Sequence, residues 1–184
     1  MAAVVAWRWP EAPAQALAGA LLVALIGPIV LGVEFLLLSV VARAERSVPP
    51  AGVQELVRAW LGESLHLLQV FYGRLPFLWR RPADHLDAAV HGRTGVVLVH
   101  GFVCNRGLWA PWLQQLRDAG HACVAVNLEP VFASIDAYAP IIEAAVRRVE
   151  AATGQPPLLV CHSMGGLAAR AWWRAFGRTG RIAR

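Results

Sequence analysis

The stretch from residue 14 to 42, AQALAGALLVALIGPIVLGVEFLLLSVVA, sets the tightest limit on what this chain can fold into. A spanning helix needs about 20 mainly apolar residues, so this run is long enough to cross a bilayer with tilt. It also accounts for a hydrophobic content of 57% and a mean hydropathy of +0.48 in a chain of 184 residues. Gly27-Pro28 near its middle predicts a kink. Two readings compete. The run is a retained membrane anchor, or it is a signal removed after Ala42-Arg43-Ala44. It exceeds the apolar core of an ordinary signal, and only Arg8 marks a basic leader, so the anchor is expected. Glu34 is expected toward one end of the segment, protonated or paired, rather than in a functional role. Arg43, Arg46 and Arg58 follow the run, which by the positive-inside rule places the rest of the chain in the cytoplasm.

Composition excludes some alternatives. The net charge is +5, and every basic residue is Arg. No dense basic block interleaved with aromatics is present, so nucleic acid is not an expected partner. The positive charge suits anionic lipid head groups. Cys104, Cys123 and Cys161 are odd in number and widely spaced, without CxxC, so neither a disulfide framework nor a metal site is expected. Cys123 and Cys161 lie in apolar runs and read as small buried side chains.

After the break at Ser47-Val48-Pro49-Pro50, a helical pattern resumes. Val53, Leu56, Val57, Trp60, Leu61, Leu67, Leu68, Phe71, Tyr72 and Leu75 share one face, and Gln54, Glu55, Arg58, His66, Gln69 and Gly73 the other. This amphipathic helix either lies in the membrane interface or covers the domain that follows. Arg80-Arg81-Pro82 closes it. From about Val90 the pattern becomes α/β. Buried strands are expected at 95–100, 122–128 and 158–161, and helices at 108–119, 134–152 (capped by Ser134) and 164–176. Their alternation predicts a parallel sheet, with the first strand central and the third beside it. The expected organisation is an anchor over 1–46, an amphipathic segment over 47–85 and an α/β domain over 86–184.

The chemistry is concentrated in Cys161-His162-Ser163-Met164-Gly165-Gly166, where a strand turns directly into a helix. That context is what a nucleophile elbow requires. The turn lifts the Ser163 hydroxyl above the C-terminal edge of the sheet, and the helix start adds its dipole. Gly165 leaves room for close passage of the chain. The usual pattern is G-x-S-x-G, and Cys161 replaces the first Gly with another small side chain. Upstream, Val97-Leu98-Val99-His100-Gly101-Phe102 is a strand ending in His-Gly. The backbone N–H groups of Phe102 and Met164 are the expected oxyanion donors. The alternative for Ser163 is a plain helix cap. His100 is expected to position its loop, and His162 to point away from the nucleophile.

With these motifs in order, the chain over about residues 95–176 resembles bacterial lipases and esterases of the α/β-hydrolase superfamily. More narrowly it is similar to membrane-anchored lipase-like proteins of proteobacteria. The resemblance implies a partial α/β-hydrolase fold preceded by a transmembrane and an amphipathic helix. It also implies location at a bacterial inner membrane and hydrolysis of lipid or small carboxylic esters, without cofactor or metal. Ser163 would be the nucleophile, Phe102 and Met164 the oxyanion donors, and His100, Gly101, Cys161 and Gly165 the supports.

One element of that chemistry is not in its expected place. The triad of this fold runs Ser, acid, His along the chain, yet no Asp, Glu or His follows Ser163. Asp84, His85, His91, Asp118, His121, Glu129 and Asp136 all lie upstream. The simplest expectation is the N-terminal part of a hydrolase, inactive or weak as it stands. Acyl transfer on the same elbow, or a non-catalytic membrane protein keeping a hydrolase-like fold, are the alternatives. Arg170, Arg174, Arg178 and Arg181 form a basic stripe, read as a solvated face rather than a lipid contact.

Overall fold

The computed structural model describes residues 12–45, 49–87 and 90–177. The chain divides into two compact units, Met1–Tyr72 and Gly73–Arg184.

The first unit is a pair of helices. Helix α1, Pro13–Ala44, runs unbroken through Pro28. The kink expected there leaves no interruption in its assignment. It is long and apolar enough to cross a membrane, with only 6% of its most apolar window buried. Helix α2, Val53–Leu68, starts with Glu55 accepting a hydrogen bond from the Gly52 N–H. It continues through a π turn, Gln69–Arg74, into a single α turn, Leu75–Phe77. A π turn inserts a residue into the 3.6-residue repeat, so one stripe drawn through residue 75 from sequence loses register at its end. The two helices run antiparallel and close together. A Cβ on Gly27 would meet Leu67, and one on Gly32 would meet Trp60. Trp60 Nε1–H donates to Pro28 O, and Tyr72 O–H donates to Val23 O. Glu34 is exposed on α1, well inside the helix rather than at its end.

The second unit is a three-layer α/β sandwich. Strands β1 (Val96–Val99), β2 (Cys123–Ala125) and β3 (Leu158–Cys161) form a parallel sheet in the order β2-β1-β3, with β1 central as expected. All three are shorter than or equal to their expected spans, because the flanking residues leave the ladder to build loops. Alternation along β1 sorts the two cores. Val97 and Val99 pack with Tyr138, Ile142, Val146 and Trp172 on one face. Val96 and Leu98 pack with Trp109 and Leu113 on the other. Helices α3 (Ala110–Asp118), α4 (Ala139–Thr153) and α5 (Met164–Phe176) cover these faces. Both α3 and α4 enter through 3-10 turns, at Arg106–Trp109 and Ile135–Tyr138. Ser134 precedes the second turn without a side-chain cap, so α4 begins later than the hydroxyl alone suggested. It ends where expected, on Gly154 in the left-handed conformation.

Two expectations about burial change. β3 is an edge strand, and Leu158 on it is 42% exposed. Cys161 is accordingly half-buried, whereas Cys123 is fully enclosed. On the far side, residues before β1 lean on β2. His85 and Cys123 exchange backbone hydrogen bonds as an antiparallel bridge. Asp84 beside it takes Arg106 at 2.6 Å and Arg148 at 2.9 Å, and accepts from the Ala125 N–H.

Candidate active site

The site grows from the register of β1 and β3. Val99 pairs with Cys161, so the two strands stop together and both loops start at the C-terminal edge of the sheet. The loop after β1 carries His100, Gly101 and Phe102; the loop after β3 carries His162 and Ser163. They touch. A Cβ on Gly101 would stand 3.1 Å from both Ser163 Cβ and His162 O. Only a residue without a side chain lets the first loop lie this close to the serine.

Ser163 holds φ 52° and ψ −123°, a conformation that costs an ordinary side chain about 1–3 kcal/mol. Among the described residues, the non-glycine positions with positive φ are Ser163 and Val103. They flank Gly101 from the two loops. Backbone strain concentrated at one edge of a sheet, on a β-branched residue and a serine, is what a preorganised site stores. Ser163 is exposed and its side chain makes no cap hydrogen bond to α5. The helix-cap alternative therefore has no bond to rest on. Met164 opens α5, so its N–H has no acceptor within the helix.

Gly165 is the second close approach. A Cβ there would lie 2.6 Å from His100 O and 2.7 Å from Val99 O, both rigid backbone. Gly165→Ala is expected to destabilise the fold by about 1–3 kcal/mol or more through overpacking. Gly166 has open space around it, and Gly166→Ala is expected to be neutral or to stabilise by up to ~1 kcal/mol. Urea midpoints of the two variants check this contrast. Similar losses at both positions would contradict it.

His100 is buried, and both ring nitrogens are engaged. Nε2 accepts from the Leu128 N–H at 2.9 Å, which leaves Nδ1 as the protonated nitrogen donating to Gly101 O at 2.8 Å. It fixes the loop on which Phe102 sits and has no valence left for Ser163. Burial holds its pKa below the ordinary imidazole value, against an opposing pull from the Gly101 bond and Glu129. The sign for stability follows. The unfolded chain takes up the proton first, so stability is full above about pH 6.5 and declines as pH falls toward the lowered native pKa. Equilibrium unfolding across that range is expected to show a slope that His100→Gln removes. A pH-independent midpoint in the parent protein would count against it.

The other histidines of this unit lie elsewhere. His85 bridges Cys123, which shares a row of the sheet with Val96 and Leu158 at the opposite edge from Ser163. His121 contacts Thr94 O just before β1 begins. His91 stands over Gly154, before β3 begins. A four-residue strand spans about 13 Å, so none of these three reaches the serine. His162 is adjacent in sequence and exposed. The upstream acids are engaged too: Asp84 by two arginines, Asp118 by Gln114, and Asp136 by Arg174. Glu129 is exposed on the stretch after β2 and raises the His100 pKa. Arg174 is thus one member of the basic stripe with an ion-pair partner; Arg178 and Arg181 lie outside the described residues.

A strand–elbow–helix with a glycine loop pressed against its serine is a specific arrangement, and the sequence comparison agrees with it. Residues 96–183 match the model of the α/β hydrolase family. These residues are similar to that family over just under half of the chain. Neither a curated protein nor a solved structure matches the chain significantly. The matched residues start at the first strand of the sheet.

One feature of this edge of the sheet carries no sequence signal. Phe132, 85% exposed, sets its ring edge-on to Phe102 with centroids 5.7 Å apart. Val103 and Val131 are exposed beside them in sequence. Phe132 sits in a loop with no periodicity, so only the fold brings it to Phe102.

Proposed function

We propose that the chain is a membrane-bound serine hydrolase of carboxylic esters, with Ser163 as nucleophile. In this reading the N–H groups of Phe102 and Met164 receive the oxyanion, while His100 and Gly101 hold the first loop. The observation that carries it is the strained Ser163 backbone on an exposed elbow, with Gly101 packed directly against it. In the reaction, Ser163 Oγ attacks the ester carbonyl as solvent hydroxide takes its proton, and the carbonyl electrons move onto oxygen. The tetrahedral anion collapses, and the departing alkoxide takes a proton from water and leaves as the alcohol. A second hydroxide then adds to the acyl group, and the Ser163 oxygen leaves with a proton as the carboxylate is released. No cofactor or metal enters this chemistry. The exposed Phe102–Phe132 pair favours lipid or other apolar acyl esters, and α1 would hold the enzyme at a bacterial inner membrane.

The test is covalent trapping of the full chain with an alkyl fluorophosphonate at alkaline pH, which supplies hydroxide as base. The Ser163 oxygen–phosphorus bond forms as fluoride leaves and the proton goes to hydroxide. An adduct on the Ser163 peptide, absent in Ser163→Ala, is the expected result. An adduct elsewhere, or none, would sink the assignment.

A second reading has its own observation. No histidine of the α/β unit other than His162 lies on the Ser163 loop, and His100 is fully bonded. A protein that keeps the elbow to bind rather than cleave would look the same. Trapping separates the two, because a binding module has no reason to activate Ser163.

A further inference from the structure

We propose that α1 and α2 form an in-plane membrane hairpin, with α1 sunk among acyl chains and α2 lying above it at the head groups. The occupant of the exposed apolar surface is lipid, and the chain enters and leaves on one side of the bilayer.

The two helices are organised for this. On α1, Gly27, Pro28 and Gly32 meet α2. The opposite face, Leu22, Ile26, Ile29, Val33, Leu37 and Val40, is entirely aliphatic and exposed. On α2, Leu56, Trp60, Ser64 and Leu67 share the face turned to α1, and Ser64 is buried there. Glu55, Arg58, His66 and Gln69 share the reverse face, all exposed. Between these faces run Val53, Val57, Leu61 and Leu65, each about half exposed or more. They add exposed aliphatic surface on one flank of α2. The stack therefore grades from aliphatic to polar along one direction, the profile of an interfacial element. An open apolar groove of about 310 Å³ between the helices, lined by Phe35, Val57 and Trp60 with Arg43 among its walls, suits an acyl chain beside an anionic head group.

The polar groups of α2 argue against a perpendicular crossing. The 32 residues of α1 measure about 48 Å, a length that fits a bilayer with its head groups at an ordinary tilt, so the argument rests on α2. The Trp60–Pro28 and Tyr72–Val23 bonds would carry α2 into the bilayer beside the middle of α1. Arg58, Glu63 and His66 would then sit at depth, where an arginine alone costs about 2.5–3.5 kcal/mol. Lying flat, the same groups face water.

Cysteines read the topology directly at three exposed positions, 15, 33 and 51, and at half-buried Gly62, where an added side chain meets open space. Gln15→Cys, Ala51→Cys, Gly62→Cys and Val33→Cys are made in the full chain, expressed in bacterial inner membrane. A membrane-impermeant maleimide is applied to spheroplasts and to inverted vesicles, and each site is read by peptide mass. Residues 15, 51 and 62 are expected to react in the same preparation and stay silent in the other, while residue 33 is silent in both. Reaction of residues 15 and 51 in opposite preparations would establish a crossing and overturn the proposal. Silence of residue 62 in both would show its face covered by protein, and recovery of the chain in the soluble fraction would remove the membrane altogether. None of these outcomes depends on Ser163.

Discussion

Joining an acid and a histidine to this chain, from an α/β-hydrolase half placed after Arg184, is expected to raise ester hydrolysis by about 10⁴ or more. Ser163→Ala is then expected to abolish the gain. The 184-residue chain alone should show only the residual acceleration of an oxyanion hole and binding, about 10³–10⁴ over water. The reasoning is geometric. A serine hydroxyl attacks usefully only when an adjacent base takes its proton. His100 spends both nitrogens on Gly101 and Leu128, and His85, His91 and His121 sit at the other edge of the sheet. The measurement is initial rate on a short-chain chromogenic ester, for the chain and the fusion, each with and without Ser163. Rapid Ser163-dependent turnover by the chain alone would contradict the account. It would mean that His162, or a histidine from another molecule, completes the site.

Much of this arrangement was legible in the sequence, for identifiable reasons. Short β-branched runs ending in glycine or in a small-residue turn read as strands, and their alternation with helical periods points to parallel order. That is why β1 was central and Ser163 stood at a strand-to-helix turn. Gly165 was recognisable because close backbone approach excludes a side chain, and Gly101 by its place in the His-Gly loop after a strand. The partners of those glycines were not. Nothing in the local pattern says that Leu128 N–H closes on His100, because that contact joins residues 28 apart. The same limit hid the Phe102–Phe132 pair. The helix starts were misjudged because Pro at the first turn of α3 and α4 admits a 3-10 entry, and a cap residue alone does not choose between the two. The apolar composition of β3 suits a buried strand, and its exposure follows from its place at the sheet edge, which the expected order of the strands implies. The helical pair was half legible. The apolar run and the amphipathic face were plain, but their antiparallel packing rests on Trp60 and Tyr72 reaching backbone carbonyls 32 and 49 residues away.

Asp84 illustrates the same limit with an energetic consequence. By residue type it was a candidate acid; in the fold it neutralises Arg106, whose side chain is 11% exposed, and also holds Arg148 and the Ala125 N–H. Arg106 in turn donates Nε–H to Ala125 O, and its backbone N–H donates to Asn127 Oδ1. One carboxylate thus ties the segment before β1 to β2, α4 and the turn that leads into α3. Removing it strands a charge in a dry place. Breaking such a pair from one side costs about 3–5 kcal/mol, most of it the penalty on the arginine left behind. Asp84→Ala is therefore expected to lower thermal stability by more than about 10 °C in a unit of this size. Replacing both partners, Asp84→Leu with Arg106→Met, is expected to recover most of that loss, because no unpaired charge remains buried. Calorimetry on the parent and the two variants decides it. If the double variant is as unstable as Asp84→Ala, the loss comes from the Ala125 and Arg148 contacts rather than from an orphaned Arg106. If Asp84→Ala unfolds where the parent does, the pair contributes nothing to the fold, and the carboxylate is free for another role.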